Sequence, residues 1–280
     1  MAWRCFAVFA LFALLASGAH AQSPLGDEVP YIQTPQAVVE KMLDLAQVGP
    51  DDFLIDLGSG DGRIVITAAQ RHGARGFGVE LDPSLVALSN AAARKAGVAE
   101  RARFFARDLF DTDISQATVL TLYLLPEFNL QLRPRLVAEL KPGTRVVSHD
   151  WDMGEWQHDA KAVLDGVVKR VMPIRESTVF LWIVPAKVAG TWSLQFDGAP
   201  ADSMEIEFSQ RFQEISGVVR REASRTALRS ASLRGAEIRF AAIDETRRRS
   251  VPLRFFGRVY GDTMDGSTDD GRRWRARRGG

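Results

Sequence analysis

Cysteine is nearly absent from this chain: Cys5 is the only one among 280 residues, and it lies in an apolar run near the N-terminus. A lone thiol cannot form a disulfide within the chain, and by itself it cannot build a thiolate metal site. Histidine is also scarce, with four residues, one of them (His20) in the same N-terminal region. We therefore expect no metal site in this protein.

A large excess of one charge is missing as well. The formal net charge is +1, with 25% charged and 46% hydrophobic residues. This composition is typical of a well-packed globular protein. It lacks the bulk positive charge that would indicate a nucleic-acid partner or an anionic membrane surface, and we expect no nucleic-acid partner.

Long apolar runs are lacking except at the N-terminus, where Arg4 precedes an apolar stretch over 5–16 and the small-residue ending Ala19-His20-Ala21. This order predicts a signal peptide over 1–21 and export to the periplasm or the outside of the cell. The alternative is an uncleaved anchor, which is the only case in which we expect membrane contact. A cleaved chain would contain no cysteine nucleophile.

Apolar runs and helical patterns alternate over the next 150 residues. Thr34 and Pro35 predict the N-cap and first residue of a helix, and further helices are predicted over 63–71, 82–95 and 127–140. Strands are predicted over 53–57, 76–81, 103–106, 118–125, 145–148, 167–172 and 178–184. Such alternation indicates an α/β fold with a mostly parallel sheet covered by helices on both faces. Ligands of such sheets bind beyond the carboxyl ends of the strands.

The pattern changes near Pro185, which predicts two domains, over 22–185 and 186–280. Short alternating runs predict about seven or eight antiparallel strands in the second domain, forming a small β-barrel or a strongly curled sheet. Its Gly190-Thr191-Trp192 and a late arginine resemble lipocalin-type barrels. Ligand binding, substrate presentation and simple stabilisation all remain open as its role.

A glycine-rich turn follows the first predicted strand, with Gly58, Gly60 and Gly62 after Asp56. Glycines let the backbone approach a ligand closely, and the amides at the start of the next helix face that ligand. Glu80 ends the second strand 22 residues after Gly58, where a carboxylate can bind ribose hydroxyls. A dinucleotide fingerprint would need a third glycine where Arg63 stands, so a nicotinamide enzyme is disfavoured.

These motifs resemble the class I S-adenosylmethionine-dependent methyltransferases over about residues 30–185. Tyr31-x-x-Thr34 and Asp56-Leu57-Gly58-Ser59-Gly60 are similar to the non-SET lysine enzymes, and the run over 61–66 is similar to the mitochondrial seven-strand lysine enzymes. The resemblance implies a Rossmann-like fold with S-adenosylmethionine as cofactor. It also implies a role for each of eight residues: Asp56, Gly58 and Gly60 around the methionine part, Glu80 on the ribose, Asp108 and Leu109 at the adenine, and Thr34 and Tyr31 closing over the methionine end.

The acceptor residues are expected at the ends of the fourth and fifth strands. Tyr123 lies near the end of the fourth strand and can wall an acceptor slot, and Asp150 follows the fifth and can orient an amine or take its proton. His149 is interpreted as a structural histidine. The chain lacks the Asn-Pro-Pro-Tyr of the nucleobase-directed enzymes, so the hypothesis is methylation of a protein lysine or of a small-molecule amine. The alternative is a non-catalytic exported binding protein with a Rossmann-like domain and a ligand-binding barrel.

Overall fold

The computed structural model describes residues 31–168, 176–221, 224–243 and 252–279. The predicted signal peptide, with Cys5, lies outside these residues. The chain divides into two units, Met1–Tyr31 and Ile32–Gly280. Tyr31 is the only described residue of the first unit, and all the described helices and strands belong to the second unit.

The first sheet has seven strands in the order β3-β2-β1-β4-β5-β7-β6. Their bounds are Phe53–Leu57 (β1), Arg75–Glu80 (β2), Ala102–Ala106 (β3), Val119–Leu122 (β4), Arg145–His149 (β5), Ala160–Asp165 (β6) and Glu176–Ile183 (β7). Strands β1 to β5 pair in parallel, whereas β7 is antiparallel to both β5 and β6. The carboxyl ends of β1 to β5 therefore meet at one edge of the sheet, where the predicted site residues follow them.

Four α-helices are described: Gln36–Leu45 (α1), Arg63–His72 (α2), Pro83–Lys95 (α3) and Pro126–Glu139 (α4). One buried apolar cluster contains residues of α1, α2 and α3, and a second contains Leu132 and Leu136 of α4. These clusters cover opposite faces of the sheet, as the predicted α/β fold requires. None of these described helices has the length and apolar character needed to cross a membrane.

Three sequence predictions differ from the structure. The strand predicted over 167–172 is wrong at Val167 and Val168, which are not in a strand, and its remainder lies outside the described residues. The partner of β7 is β6, an edge strand that alternates half-buried and exposed residues and so carries little apolar signal. Pro35, not Thr34, is the N-cap residue of α1, and Thr34 is instead buried, with its hydroxyl 3.4 Å from His149 Nδ1. Strand β4 ends at Leu122, before Pro126 begins α4.

The second sheet has nine antiparallel strands, one or two more than expected, in the order β11-β10-β9-β8-β16-β15-β14-β13-β12. Their bounds are Gly190–Phe196 (β8), Ala199–Arg211 (β9), Glu214–Arg221 (β10), Ser224–Ala227 (β11), Arg229–Arg234 (β12), Glu237–Ala242 (β13), Leu253–Tyr260 (β14), Thr263–Thr268 (β15) and Arg273–Arg278 (β16). Strand β12 lies against β10, so the sheet curls into a nearly closed barrel. Trp192, Trp274 and Phe255 fill its core.

Candidate cofactor and acceptor site

The glycine turn between β1 and α2 has the backbone shape that only glycine adopts easily. Gly58, Gly60 and Gly62 have φ angles of 79°, 52° and 78°. The amides of Gly58 and Ser59 donate to the carbonyl of Val79 at 3.0 and 2.9 Å, which fixes the turn against β2. A Cβ added at Gly78 would lie only 2.4 Å from the Cβ of Ser59. The turn can therefore pack this closely against β2 only because residue 78 has no side chain.

Asp56, at the carboxyl end of β1, is 2% exposed, and its Oδ1 accepts a hydrogen bond from Thr121 Oγ1 at 2.7 Å. Burial, together with the nearby carboxylates of Glu80 and Asp61 and against the opposing Thr121 bond, raises the pKa of Asp56 to about 7. Glu80 ends β2, and its two oxygens accept from the amides of Gly60 at 3.0 Å and Leu81 at 2.8 Å. Three acids thus converge on the turn.

Arg63 connects this turn to the chain segment before α1, a function that the sequence analysis did not assign to it. Its guanidinium binds the Asp61 carboxylate, with Nε 2.9 Å from Oδ1, and its Nη1 donates to the Thr34 carbonyl at 2.7 Å. Thr34 therefore lies beside the turn, as its predicted role requires. The Asp-x-Arg spacing of 61 and 63 was the only signal of this bridge. Tyr31 is 42% exposed, and its role stays a prediction.

Asp108 and Leu109 lie where the predicted adenine pocket would be. They follow β3, which is the neighbour of β2, and the amide of Arg107 donates to the Glu80 carbonyl at 3.1 Å. Asp108 caps the short 3-10 helix Leu109–Asp111, with Oδ1 accepting from the Phe110 amide at 2.8 Å. Leu109 packs against the apolar cluster on the α4 face. The contact of Asp108 with adenine stays a prediction.

Tyr123 and Asp150 come together at the ends of β4 and β5. The Tyr123 hydroxyl lies 3.5 Å from Asp150 Oδ2. Burial, followed by the Asp150 carboxylate, raises the pKa of Tyr123 to about 12, so the phenol stays protonated at neutral pH. Asp150 has a left-handed φ of 64°, and it is held by β7 through two bonds: its amide donates to the Thr178 carbonyl at 2.7 Å, and its Oδ1 accepts from the Thr178 amide at 3.1 Å.

His149 is fully buried and links the two halves of the site. Its Nδ1 lies 3.4 Å from Thr34 Oγ1, and its Nε2 lies 3.1 Å from Ser177 Oγ. Its ring lies 4.0 Å from the Tyr123 ring, centroid to centroid, with an angle of 30° between the planes. The histidine interpreted as structural therefore touches both a predicted cofactor residue and a predicted acceptor residue. The sequence offered no signal for Ser177, which reaches His149 from β7.

The residues of the turn fit S-adenosylmethionine. The buried hydroxyl of Ser59 has no hydrogen-bond partner among the described residues, so a polar group of a ligand can bind it. The carboxylates of Asp56, Asp61 and Glu80 repel one another, and this repulsion contributes to the raised pKa of Asp56. The sulfonium and ammonium groups of the cofactor supply the positive charge that relieves it. Among the described residues, no group of three or more acids, histidines or cysteines is arranged to hold a metal ion.

Comparisons with known proteins agree with this geometry. The family described as the ANTKMT methyltransferase domain matches residues 56–160. A protein-lysine N-methyltransferase of Saccharolobus islandicus is 42% identical over 158 residues, covering 56% of this chain and 94% of that protein. The mouse adenine nucleotide translocase lysine N-methyltransferase is 35% identical over 54% of this chain, and the match covers 66% of its own length, just under two thirds.

A solved structure from Salinibacter ruber, described as an RNA methyltransferase in complex with S-adenosyl-L-homocysteine, is also similar. It shares 52% sequence identity and a TM-score of 0.51, covering 56% of this chain and 95% of that chain. This protein is thus an enzyme that uses S-adenosylmethionine, which decides against the non-catalytic alternative. The sheet order, the glycine turn with its acids and these relatives together show that the chain belongs to the class I S-adenosylmethionine-dependent methyltransferases, and within them to those related to the protein-lysine N-methyltransferases.

Proposed function

We propose that this enzyme transfers a methyl group from S-adenosylmethionine to the side-chain amine of a protein lysine. The observation that carries the proposal is the pair of Tyr123 and Asp150, whose side chains meet beside the cofactor turn. Strands β1 and β4 are neighbours, with Asp56 directly opposite Thr121, so Tyr123 follows two residues after the partner of Asp56. The relatives named as lysine methyltransferases support the same acceptor.

Asp150 prepares the acceptor. A free lysine has a pKa of about 10.4, so its amine reaches the enzyme as an ammonium group, with no lone pair to attack a methyl carbon. The Asp150 side chain is only 11% exposed. Its carboxylate accepts a hydrogen bond from the ammonium, orients the nitrogen and takes the proton, which frees the lone pair. The bound cofactor supplies a methyl group that its sulfonium has already activated.

Tyr123 shapes the slot and does not act as the base. With its pKa raised to about 12, its phenol stays neutral and donates its hydrogen toward Asp150. Its ring packs at a tilt against the His149 ring, which holds the phenol in place, and presents an aromatic wall to the alkyl stem of the lysine. Aligning the nitrogen with the methyl carbon is the main task that remains for the enzyme.

The test is methyl transfer by the full-length enzyme, using methyl-labelled cofactor and a cell extract as acceptor. We expect label in protein, and acid hydrolysis should release it as methyl-lysine. Asp150→Asn should lower kcat at least tenfold, because the amide accepts no proton. The matched control is Asp51→Asn, an exposed aspartate before β1 at the opposite edge of the sheet, which should leave kcat unchanged.

The assay includes an RNA arm, because the similar Salinibacter ruber protein is described as an RNA methyltransferase. The extract is treated with ribonuclease or with protease before the label is counted. Label that survives ribonuclease and disappears with protease supports the proposal. Label that disappears with ribonuclease, or that is recovered in a product other than methyl-lysine, would overturn it.

We also propose that the enzyme is exported and loses residues 1–21. The proposal rests on Arg4, the apolar run that follows it and the small residues that end it. Its substrate would then be a protein lysine exposed outside the cytoplasm.

A further inference from the structure

The hairpin between β9 and β10 has an unusual residue at its tip. Arg211 pairs with Glu214, so Phe212 and Gln213 alone make the turn, and Phe212 has a left-handed φ of 53°. Two-residue hairpin turns favour glycine or asparagine at left-handed positions, and a bulky residue there is strained. A glycine would make the turn more easily, so what Phe212 adds is its ring.

That ring leaves the nine-stranded sheet and joins the core of the seven-stranded sheet. It packs against the same apolar cluster as Leu109 and stacks on Trp156, with centroids 5.8 Å apart and 13° between the planes. The Arg133 guanidinium of α4 lies over its ring, 5.7 Å from the centroid. Beside it, Gln213 Nε2 donates to the Gln157 carbonyl at 2.6 Å.

Trp156 belongs to the chain that connects β5 to β6, residues 150–159, which we name the acceptor connection because Asp150 begins it. Helix α4 holds its middle: Asn129 Nδ2 donates to the Trp151 carbonyl at 3.2 Å, and Arg133 Nη1 donates to the Met153 carbonyl at 2.9 Å. The hairpin tip holds its far part through Trp156 and Gln157. Arg133 takes part in both contacts, so the hairpin and the middle of the connection share one anchor.

We propose that Phe212 is a positioning residue for the acceptor side of the active site, and that the β-sheet region from Gly190 onward therefore contributes to the geometry of that site. The inference rests on the proposed function of Asp150. The stacked Phe212 ring holds the acceptor connection against α4. This contact fixes the position of the segment that begins at Asp150. The left-handed backbone of Phe212 is strained, and the fold tolerates this strain because it places the ring against Trp156.

The methionine and ribose positions of the cofactor site, Asp56 and Glu80, do not depend on this contact. Asp56 and Glu80 end β1 and β2, and their bonds run to Thr121 and to the amides of the glycine turn. None of these bonds involves α4 or the acceptor connection. Loss of the Phe212 ring should therefore impair acceptor use and leave cofactor affinity unchanged, a split that general destabilisation would not produce.

The experiment compares four full-length proteins: wild type, Phe212→Ala, Phe212→Tyr and Phe256→Ala. Phe256 is the matched control, an aromatic on β14 that is 41% exposed. Phe212→Tyr keeps the stacked ring and should behave as wild type. Each protein is measured by amide hydrogen exchange, by calorimetry with S-adenosylhomocysteine, and by methyl transfer to poly-L-lysine.

For Phe212→Ala we expect exchange at least tenfold faster in peptides covering 150–159 and a twofold or smaller change in the dissociation constant of S-adenosylhomocysteine. We also expect kcat/KM for poly-L-lysine to fall at least tenfold, with KM for the cofactor unchanged. If Phe212→Ala folds poorly, Phe212→Leu keeps the apolar contact, loses the stacking and should show the same split at smaller amplitude.

Three results would overturn the inference: unchanged exchange over 150–159, an equal loss of cofactor affinity, or the same pattern in Phe256→Ala. The exchange arm needs no acceptor, so it tests whether Phe212 holds residues 150–159 in place even where poly-L-lysine is not methylated. Absence of transfer by the wild type, with the expected exchange in Phe212→Ala, would count against the proposed acceptor and would support only the contact between Phe212 and the acceptor connection.

Discussion

Cofactor affinity should depend on pH through Asp56. The pKa of its buried carboxyl is about 7 in the free protein, because burial and the acids of Glu80 and Asp61 disfavour the charged form. The cofactor brings positive charge to the ionised carboxylate, so binding releases a proton from any molecule in which Asp56 is protonated. With a pKa of about 7, the ionised fraction rises from about one tenth at pH 6 to about nine tenths at pH 8. Affinity should therefore rise about tenfold, or about 1.4 kcal/mol, over that range.

The assay is calorimetric titration of wild type and Asp56→Asn at pH 6, 7 and 8. Asparagine keeps an acceptor for the Thr121 hydroxyl but does not titrate. The variant should bind more weakly at pH 8 and lack the tenfold rise. The cofactor has its own amino group, with a pKa near the usual α-amino value of about 8, and its contribution appears equally in both proteins. A repeat in two buffers with different ionisation enthalpies counts the released protons.

The raised pKa of Asp56 also predicts how the stability of the cofactor-free enzyme depends on pH. The pKa of Asp56 in the folded protein lies above its ordinary value of 3.8, so its contribution to stability is fully present below pH 3.8 and is lost as pH rises through about 7. At 1.36 kcal/mol per pKa unit, the loss is on the order of 4 kcal/mol. Urea unfolding at pH 5 and pH 8 should show a larger drop in wild type than in Asp56→Asn. Equal pH dependence of affinity and stability in the two proteins would refute the reasoning.

Three further predictions concern other parts of the chain. Glu80→Ala should weaken S-adenosylmethionine binding by about 1.5–3 kcal/mol, the scale of lost charge-assisted hydrogen bonds, and unchanged affinity in calorimetry would remove Glu80 from the ribose site. Gly78→Ala should lower the free energy of unfolding by about 1–3 kcal/mol, because its Cβ would collide with Ser59, whereas Gly49→Ala, in open space, should be nearly neutral in urea unfolding. Protein isolated from its native host should begin at Gln22 in N-terminal sequencing, and an intact Met1 on cytoplasmic protein would contradict export.

The parts of the first sheet that the sequence predicts well are those with strong local signals. Strand β1 is an apolar run ended by a glycine turn, and its predicted bounds match the structure, while the helix predicted over 63–71 agrees to within one residue. Strand β6 was missed because its half-exposed alternation resembles a surface loop. The number of strands predicted for the second sheet was too low because short antiparallel strands are separated only by weak turn signals.

A site residue could be predicted only where it lies at the end of a single predicted strand. Asp56, Glu80, Tyr123 and Asp150 each lie at or near the carboxyl end of a predicted strand, so their common edge was foreseeable. The link from His149 to Ser177 was not, because it depends on β7 lying beside β5 with His149 opposite Val179. Long-range register of this kind has no signature in a single sequence.

The position of β7 has a consequence for how the chain folds. Strand β7 is the last of the first sheet in sequence, yet it lies between β5 and β6 and pairs with both. Until it is synthesised and inserted, β5 presents an unpaired edge and β6 has no partner strand in the sheet. Such edges are templates for association with other chains. The insertion of β7 is therefore the step that ends the period in which the nascent enzyme is vulnerable to aggregation, and a chain that stops before Glu176 should aggregate instead of folding.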